Sequence, residues 1–83
     1  MAPNLKRAVA QAMLWLQADG HVFIAGKDVV VRLQTEGYEV DLAAVLRVIH
    51  ALESERCLDY VVTFMVDQDV AINVLYPRLA HYL

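Results

Sequence analysis

Residues 40–58 read VDLAAVLRVIHALESERCL, and this stretch decides the fold. Asp41 is suited to cap a helix, because its short carboxylate can accept hydrogen bonds from the free N–H groups of a first turn. Apolar residues then recur at the three- and four-residue steps of one helix face: Val45, Ile49 and Leu52. The stretch therefore predicts a helix from Asp41 to about Arg56.

Two helices and a short strand are predicted before this stretch. Apolar residues at helical spacing follow Asn4, and the sequence Asp19-Gly20 ends that first helix. Residues 21–24 are β-prone and lie between glycines, which favours a short strand. Residues 27–35 contain three successive valines and could form a strand, but their apolar spacing and the glycine at 37 favour a second helix.

Two further strands are predicted after the third helix. Residues 58–66 and 70–76 are rich in β-branched and aromatic side chains, and the Asp-Gln-Asp sequence at 67–69 is suited to a hairpin turn. Pro77 ends the second strand because proline cannot donate a ladder hydrogen bond. The order is helix, strand, helix, helix, strand, strand, in one α+β domain that spans residues 1–83.

This order resembles the winged helix-turn-helix family over about residues 5–76. The most specific part of the resemblance is local, at positions where such domains place core residues, an arginine, a leucine-glutamate pair and the first wing residue: Val40, Val45, Arg47, Ile49, Leu52, Glu53 and Leu58. The usual glycine between the third helix and the wing is replaced by Arg56 and Cys57. The resemblance implies three helices, a short strand and a C-terminal β-hairpin wing, with the third helix in the DNA major groove.

The expected recognition face is too apolar for reading DNA. Base edges are read mainly by Arg, Lys, Asn and Gln, whereas the positions predicted to face outward are Leu42, Ala43, Ala44, Leu46, Arg47, His50 and Ala51. No Lys or Arg lies between Cys57 and Pro77, and Asp67 and Asp69 in the turn would meet phosphates with the wrong sign. The sequence predicts a protein contact formed by Leu42, Ala43, Leu46, Arg47, His50, Val61 and Met65.

The partner of this face is expected to be another protein or a second copy of the chain in a dimer. The hydrophobic content of 59% exceeds the ~45–50% of ordinary soluble domains, so a small core leaves apolar surface for contacts. The apolar tail at 78–83 could instead fold back over the outer strands. The alternative function is a small dimeric DNA-binding regulator, with contacts from Lys6, Arg7, Lys27, Arg32, Arg47 and His50. A third, the mimicry of nucleic acid, has only the acidic second half of the chain to support it.

No catalytic chemistry is predicted. The histidines at 21, 50 and 81 lie in different elements without ligand spacing, and Glu53 with Glu55, like Asp67 with Asp69, is read as a pair of solvated charges. Cys57 is expected to be a buried, unreactive thiol and Trp15 to cover an edge of the core. Neither an enzyme, a metal, a cofactor, a small-molecule substrate nor a membrane partner is predicted, and a cytoplasmic location is expected.

Overall fold

The fold combines three α-helices with a small antiparallel sheet. It is described here from a computed structural model that covers residues 4–62 and 69–83. The elements are α1 (Leu5–Ala18), β1 (Ile24–Ala25), α2 (Gly26–Thr35), α3 (Leu42–Ser54), β2 (Leu58–Val62), β3 (Val70–Leu75) and a C-terminal 3-10 helix (Pro77–Tyr82). The predicted α+β class and order of elements are confirmed. Within the two described ranges, no helix has the length and apolar character needed to cross a bilayer.

The sheet has the order β1-β3-β2, with both neighbours antiparallel to the central strand. Ile24 of β1 lies opposite Ile72 of β3, while Leu58 at the start of β2 lies opposite Leu75. The register shifts between Asp59 and Tyr60 of β2. One face of this sheet packs on the helices, and β2 forms an edge.

The core lies where the three helices meet each other and the inner face of the sheet. The helix faces predicted from apolar spacing are buried, including the Val45, Ile49 and Leu52 stripe of α3. Cys57 is fully buried as predicted, and burial raises the pKa of its thiol, which lowers the thiolate population that would react. The other fully or nearly buried apolar residues are Ala8, Val9, Ala10, Ala12, Met13, Leu16, Ile24, Val29, Leu33, Leu58, Val70, Ile72 and Leu79.

The helix ends follow from local sequence. Asn4 and Asp41 cap α1 and α3 as predicted, each accepting a hydrogen bond from the backbone N–H three residues later. All three helices then end in the same way, with paired hydrogen bonds that run back from the two residues after the cap. In each helix this motif places one residue in the left-handed region. These residues are Gly20 after α1, Gly37 after α2 and Arg56 after α3, with φ of 102°, 94° and 60°.

Two predicted boundaries are wrong, and one of the two alternatives for the tail is contradicted, for reasons visible in the packing. The first strand is Ile24–Ala25 and not residues 21–24, because only these two residues find partners on β3. Helix α3 stops at Ser54, because Arg56 adopts the left-handed conformation that ends it. The tail does not cover the outer strands: its Leu79 is buried and the 3-10 helix contacts α1, while Val61 stays 52% exposed.

Candidate interaction surfaces

The outward face of α3 is narrower than the sequence predicts. Ala43, Arg47 and His50 are exposed, but Leu42 and Leu46 are only half-exposed. Their methyl groups lie over the start of α2, where a Cβ built on Gly26 would come within 3.2 Å of Leu42 Cδ1 and 3.1 Å of Leu46 Cδ2. The prediction that both leucines face away from the fold is therefore wrong, because the absence of a side chain at position 26 lets α3 approach α2 closely.

His50 connects this stripe to the inner side of the sheet. Its ring meets the Tyr60 ring edge to face, with the centroids 5.2 Å apart, and Nδ1 is hydrogen-bonded to the Tyr60 hydroxyl. Burial raises the pKa of that hydroxyl, and the Glu53 carboxylate adds to the rise. The hydroxyl is thus neutral at physiological pH and acts as a fixed structural link between α3 and β2.

Val61 lies on the opposite side of the sheet from this link. Successive side chains of a strand point to opposite faces, and Tyr60 faces α3, so Val61 faces away from the helices. The predicted contact set is consequently divided between two surfaces, and Met65 lies outside the described residues. The cross-strand register brings Val61 together with apolar neighbours on a surface that we call the outer sheet face: Val61, Ala71, Val74 and Tyr76.

The outer sheet face combines exposed apolar residues with Asp59, which lies directly opposite Val74. Val61 is 52% exposed, and Val74 and Tyr76 are each 38% exposed. The Tyr76 hydroxyl donates a hydrogen bond to Asp59, and this bond raises the pKa of the hydroxyl. Beside this face, a groove of about 590 Å³ is lined by Glu53, Ser54, Arg56, Asp59, Tyr76, Pro77 and Arg78. Its two acids and two arginines balance in charge, so it presents no single-sign site for an ion.

The basic residues named for DNA contact do not form one patch. Lys6 of the first turn of α1 forms an ion pair of 2.8 Å with Glu55, and Tyr82 donates a second hydrogen bond to the same carboxylate. Arg32 forms an ion pair of 3.1 Å with Glu36 and stacks 3.9 Å from the ring centre of Trp15, near the other end of α1. These two cations therefore lie at opposite ends of a helix of 14 residues, about 14 Å apart along its axis.

The remaining cations are also dispersed. Lys27 lies at the start of α2, with its backbone N–H bonded to Asp69. Arg7 and Arg47 are exposed on α1 and α3 respectively. At least two of the helix cations, Lys6 and Arg32, are thus already neutralised by carboxylates, and these two lie far apart, whereas phosphate binding requires a clustered basic surface.

Asp69 has a structural role, although the sequence analysis predicted that it is a solvated charge. Its side chain is only 5% exposed and accepts hydrogen bonds from the backbone N–H groups of Gly26, Lys27 and Val70, at 3.0, 3.1 and 2.7 Å. Helix α2 begins after Ala25, which has no side-chain acceptor. The carboxylate of Asp69, just before β3, therefore accepts the hydrogen bonds of the free N–H groups in the first turn of α2. The missing local cap before Gly26 was the signal in the sequence, but it does not reveal which distant residue replaces it.

Glu55 is likewise not a simple solvated charge. The Lys6 ammonium and then the Tyr82 hydroxyl hold the pKa of its carboxyl below the usual value, and the same contact raises the pKa of Lys6. The three residues tie α1, the end of α3 and the C-terminal 3-10 helix together. Within residues 4–62 and 69–83, no three His, Cys, Asp or Glu side chains are grouped as metal ligands.

Further exposed apolar residues, which the sequence analysis did not predict, lie on α1, on α2 and in the connection between α1 and β1. They are Trp15, Val22, Phe23 and Val31, which are 45%, 79%, 58% and 61% exposed. Trp15 is more exposed than predicted for a core edge, because Arg32 covers one face of its ring and leaves the rest open.

Comparison of the chain with family models, curated proteins and solved structures finds no match.

Proposed function

We propose that the chain is a non-catalytic module of the winged-helix type that binds another protein through the outer sheet face. Three features support the winged-helix assignment. They are the element order, the six-residue connection between α2 and α3, and an antiparallel sheet in which the first short strand pairs with the last strand. The left-handed Arg56 also stands at the point where such domains usually have a glycine before the wing.

The observation that carries the proposed function is the apolar character of a sheet face that no other element covers within residues 4–62 and 69–83. An antiparallel sheet with one solvated face normally alternates apolar and polar residues, but on the outward side Asp59 is accompanied by the apolar Val61, Ala71 and Val74. Contiguous apolar surface is costly in water and typical of protein contact sites. The face is therefore suited to a partner that supplies apolar side chains.

The position of β2 adds to this support. As the outer strand of the order β1-β3-β2, it presents unpaired backbone donors and acceptors on one side. A partner segment in extended conformation could add a strand there while its side chains cover Val61. The exposed stripe of α3 contributes less, because Ala43 offers one methyl group beside the polar Arg47 and His50.

The competing function is DNA binding through α3. Arg47 is exposed on that helix, but the cations of α1 and α2 are dispersed and two are paired with carboxylates. Phosphate neutralisation supplies most non-specific affinity for DNA, so this distribution of charge disfavours DNA as the partner.

Site-specific photocrosslinking tests the proposed function. A benzophenone side chain is placed at Val61 and, separately, at Val74, and the variants are illuminated in the cells that make the protein. Both positions are expected to yield the same protein adduct, because they share one face. The matched control is Glu39, which is exposed in the α2–α3 connection and far from the sheet face in sequence, and which should yield no such adduct.

A different outcome would contradict the proposal. Adducts that are absent at Val61 and Val74, or equally abundant at Glu39, would remove the outer sheet face as a contact site. DNA anisotropy on the same protein completes the test: saturable binding at low salt that weakens steeply with added salt and is lost in Arg47→Ala would assign the DNA-binding function instead.

A further inference from the structure

The groove beside the outer sheet face carries two arginines that have no part in the proposed function. We infer that this groove binds an acidic side chain of the partner's extended segment, with its carboxylate bound by the guanidinium groups of Arg56 and Arg78. The inference rests on the proposed function and deepens it, because it specifies which kind of protein segment the outer sheet face accepts.

The groove has room for side chains of a partner. Its volume of about 590 Å³ lies within the ~300–1,000 Å³ of typical ligand pockets. It forms where the end of α3, the beginning of β2 and the connection from β3 to the 3-10 helix come together. The two arginines reach it from different segments, Arg56 from the connection between α3 and β2 and Arg78 from the 3-10 helix, and both are exposed.

The charges of the groove are balanced in number but differ in their contacts. Asp59 accepts a hydrogen bond from the Tyr76 hydroxyl. Burial raises the pKa of Tyr60 and the Glu53 carboxylate adds to the rise, so Glu53 lies close to that hydroxyl. In the part of the chain that the structure describes, neither arginine forms an ion pair or a side-chain hydrogen bond. A guanidinium group is a planar fork of five N–H donors that fits a carboxylate, so the open hydrogen-bonding capacity of the groove favours an acidic group.

The backbone of Arg56 gives an independent reason to assign binding to its side chain. Its φ of 60° lies in the left-handed region, where glycine is free of the strain that an L-residue carries. The same position after α1 and α2 is held by Gly20 and Gly37. Residues in strained backbone conformations cluster at binding and catalytic sites. The helix end does not require a side chain at position 56, and the place of that side chain in the groove gives it a role.

The groove and the outer sheet face form one continuous surface, because Tyr76 belongs to both. Asp59 of the groove lining precedes Val61 by two positions of β2, about 7 Å along the strand. A segment that pairs with the edge of β2 and covers Val61 therefore reaches the groove within about two to four of its own residues. An acidic residue at that spacing from an apolar residue makes both contacts, since the apolar side chain leaves water and the carboxylate forms charge-assisted hydrogen bonds.

Peptide selection tests the inference. A phage-displayed library of random linear peptides is selected on the full chain, and the affinity of the enriched peptides is measured by fluorescence anisotropy. The enriched peptides are expected to carry Asp or Glu within about four residues of an apolar residue. Replacement of that acid by its amide should weaken binding about tenfold or more and reduce its dependence on salt.

Two variants of the protein test the same contact from the other side. Arg56→Gly and Arg78→Gln should each weaken binding of the acidic peptide about tenfold, and the amide peptide should lose little further affinity in either variant. Arg56→Gly is the more decisive variant, because it is expected to stabilise the fold while it weakens binding, so that unfolding cannot explain the loss. The matched control is Arg47→Gln, which removes an exposed guanidinium outside the groove lining and should leave the affinity unchanged within about twofold.

Three results would overturn the inference. The first is a selection that enriches no binder, in which case photocrosslinking at Val61 and Val74 still decides the proposed function separately. The second is a set of enriched peptides without an acid, and the third is an acidic peptide that both arginine variants bind as tightly as the parent does. In these last two cases, a loss of binding in Val61→Asp would leave the proposed function standing, because the apolar contact would be intact.

Discussion

Arg56 occupies a backbone conformation that ordinarily belongs to glycine. Its φ of 60° lies in the left-handed region, and its N–H and that of Cys57 close the same hydrogen-bonded motif that Gly20 and Gly37 close after the other two helices. An L-residue pays about 1–2 kcal/mol for this conformation, partly offset by the greater chain entropy that glycine loses on folding. The end of α3 is therefore held in place at a net conformational cost.

Arg56→Gly is expected to stabilise the protein by about 0.5–1 kcal/mol, because glycine adopts the left-handed conformation without steric strain. Urea denaturation of parent and variant measures the difference. The matched control is Gly37→Ala, where no heavy atom lies within 4 Å of the added Cβ, so that only the backbone penalty applies. This control should lose a similar amount. If Gly37→Ala stabilised the protein, or Arg56→Gly destabilised it, the left-handed backbone conformation would not determine the stability of these helix ends.

The end of α3 illustrates what single residues allow a sequence to predict. Apolar spacing located the buried stripe of α3 correctly, because burial and spacing report the same helix face. The absence of glycine after α3 placed the predicted end two residues too late. Arg56 has no sequence signature for the left-handed region, and its conformation accompanies the two backbone hydrogen bonds that close the helix and the burial of Cys57.

At the scale of elements, the first turn of α2 depends on the residue that precedes β3. Asp69, placed just before β3, supplies the acceptor that Ala25 lacks, and its carboxylate is nearly inaccessible to water. A negative charge at a helix N-terminus is also favoured by the helix dipole. Helix and strand therefore form one cooperative unit through this contact.

Asp69→Ala should destabilise the protein by about 2–4 kcal/mol, because it leaves the buried N–H groups of Gly26 and Val70, and the partly buried N–H of Lys27, without their charged acceptor. Chemical denaturation measures the loss, and hydrogen exchange should show faster exchange at these amides. Asp19→Ala serves as the control: Asp19 is exposed after α1, and its removal should change stability by no more than about 0.5 kcal/mol. Equal losses in the two variants would contradict a special role for Asp69.

The order of elements was predictable, while their contacts were not. Periodicity and turn residues are local signals, and they sufficed for three helices, three strands and two N-caps. The pairing of Asp69 with Gly26 spans 43 positions, and the closeness of Leu42 and Leu46 to α2 depends on a glycine in another element. Such contacts are set by the angle at which elements pack, which no local pattern encodes.

At the scale of the whole molecule, one polar cluster joins the two ends of the chain to its middle. Glu55 accepts hydrogen bonds from Lys6 near the N-terminus and from Tyr82 near the C-terminus. Its pKa is lowered in the folded state, so the stabilisation is present above the unfolded value of about 4.3 and is lost as the pH falls through the lower folded value. The raised pKa of Lys6 keeps the contact in place until strongly alkaline pH.

Glu55→Gln is accordingly expected to be less stable than the parent at pH 7 and to approach it in stability as the pH falls below about 4.3. Denaturation at a series of pH values measures the gap. Glu39→Gln, at an exposed residue of the α2–α3 connection, should follow the parent throughout. A gap for Glu55→Gln that persists unchanged in acid would show that the carboxylate acts through packing and not through its charge.

The distribution of exposed apolar surface was the least predictable property of the molecule. The sequence indicated an excess of hydrophobic residues and assigned the excess to α3 and β2. In the structure, Leu42 and Leu46 are partly buried by contact with α2, while Trp15, Val22, Phe23 and Val31 remain exposed. Which apolar residues stay exposed depends on how three helices share one small core, and that is decided only when all of them are in place.

The fit between Gly26 and Asp69 limits how this sequence can diverge. A Cβ at position 26 would occupy the space of the Asp69 carboxylate, so a side chain at one position and an acid at the other are sterically incompatible. Positions 26 and 69 should therefore covary among descendants of this chain. A lineage that replaces the acid removes the nearest of these contacts, but a larger residue at 26 must still displace the methyl groups of Leu42 and Leu46. Such a lineage also needs a serine, threonine or aspartate at position 25 to cap α2.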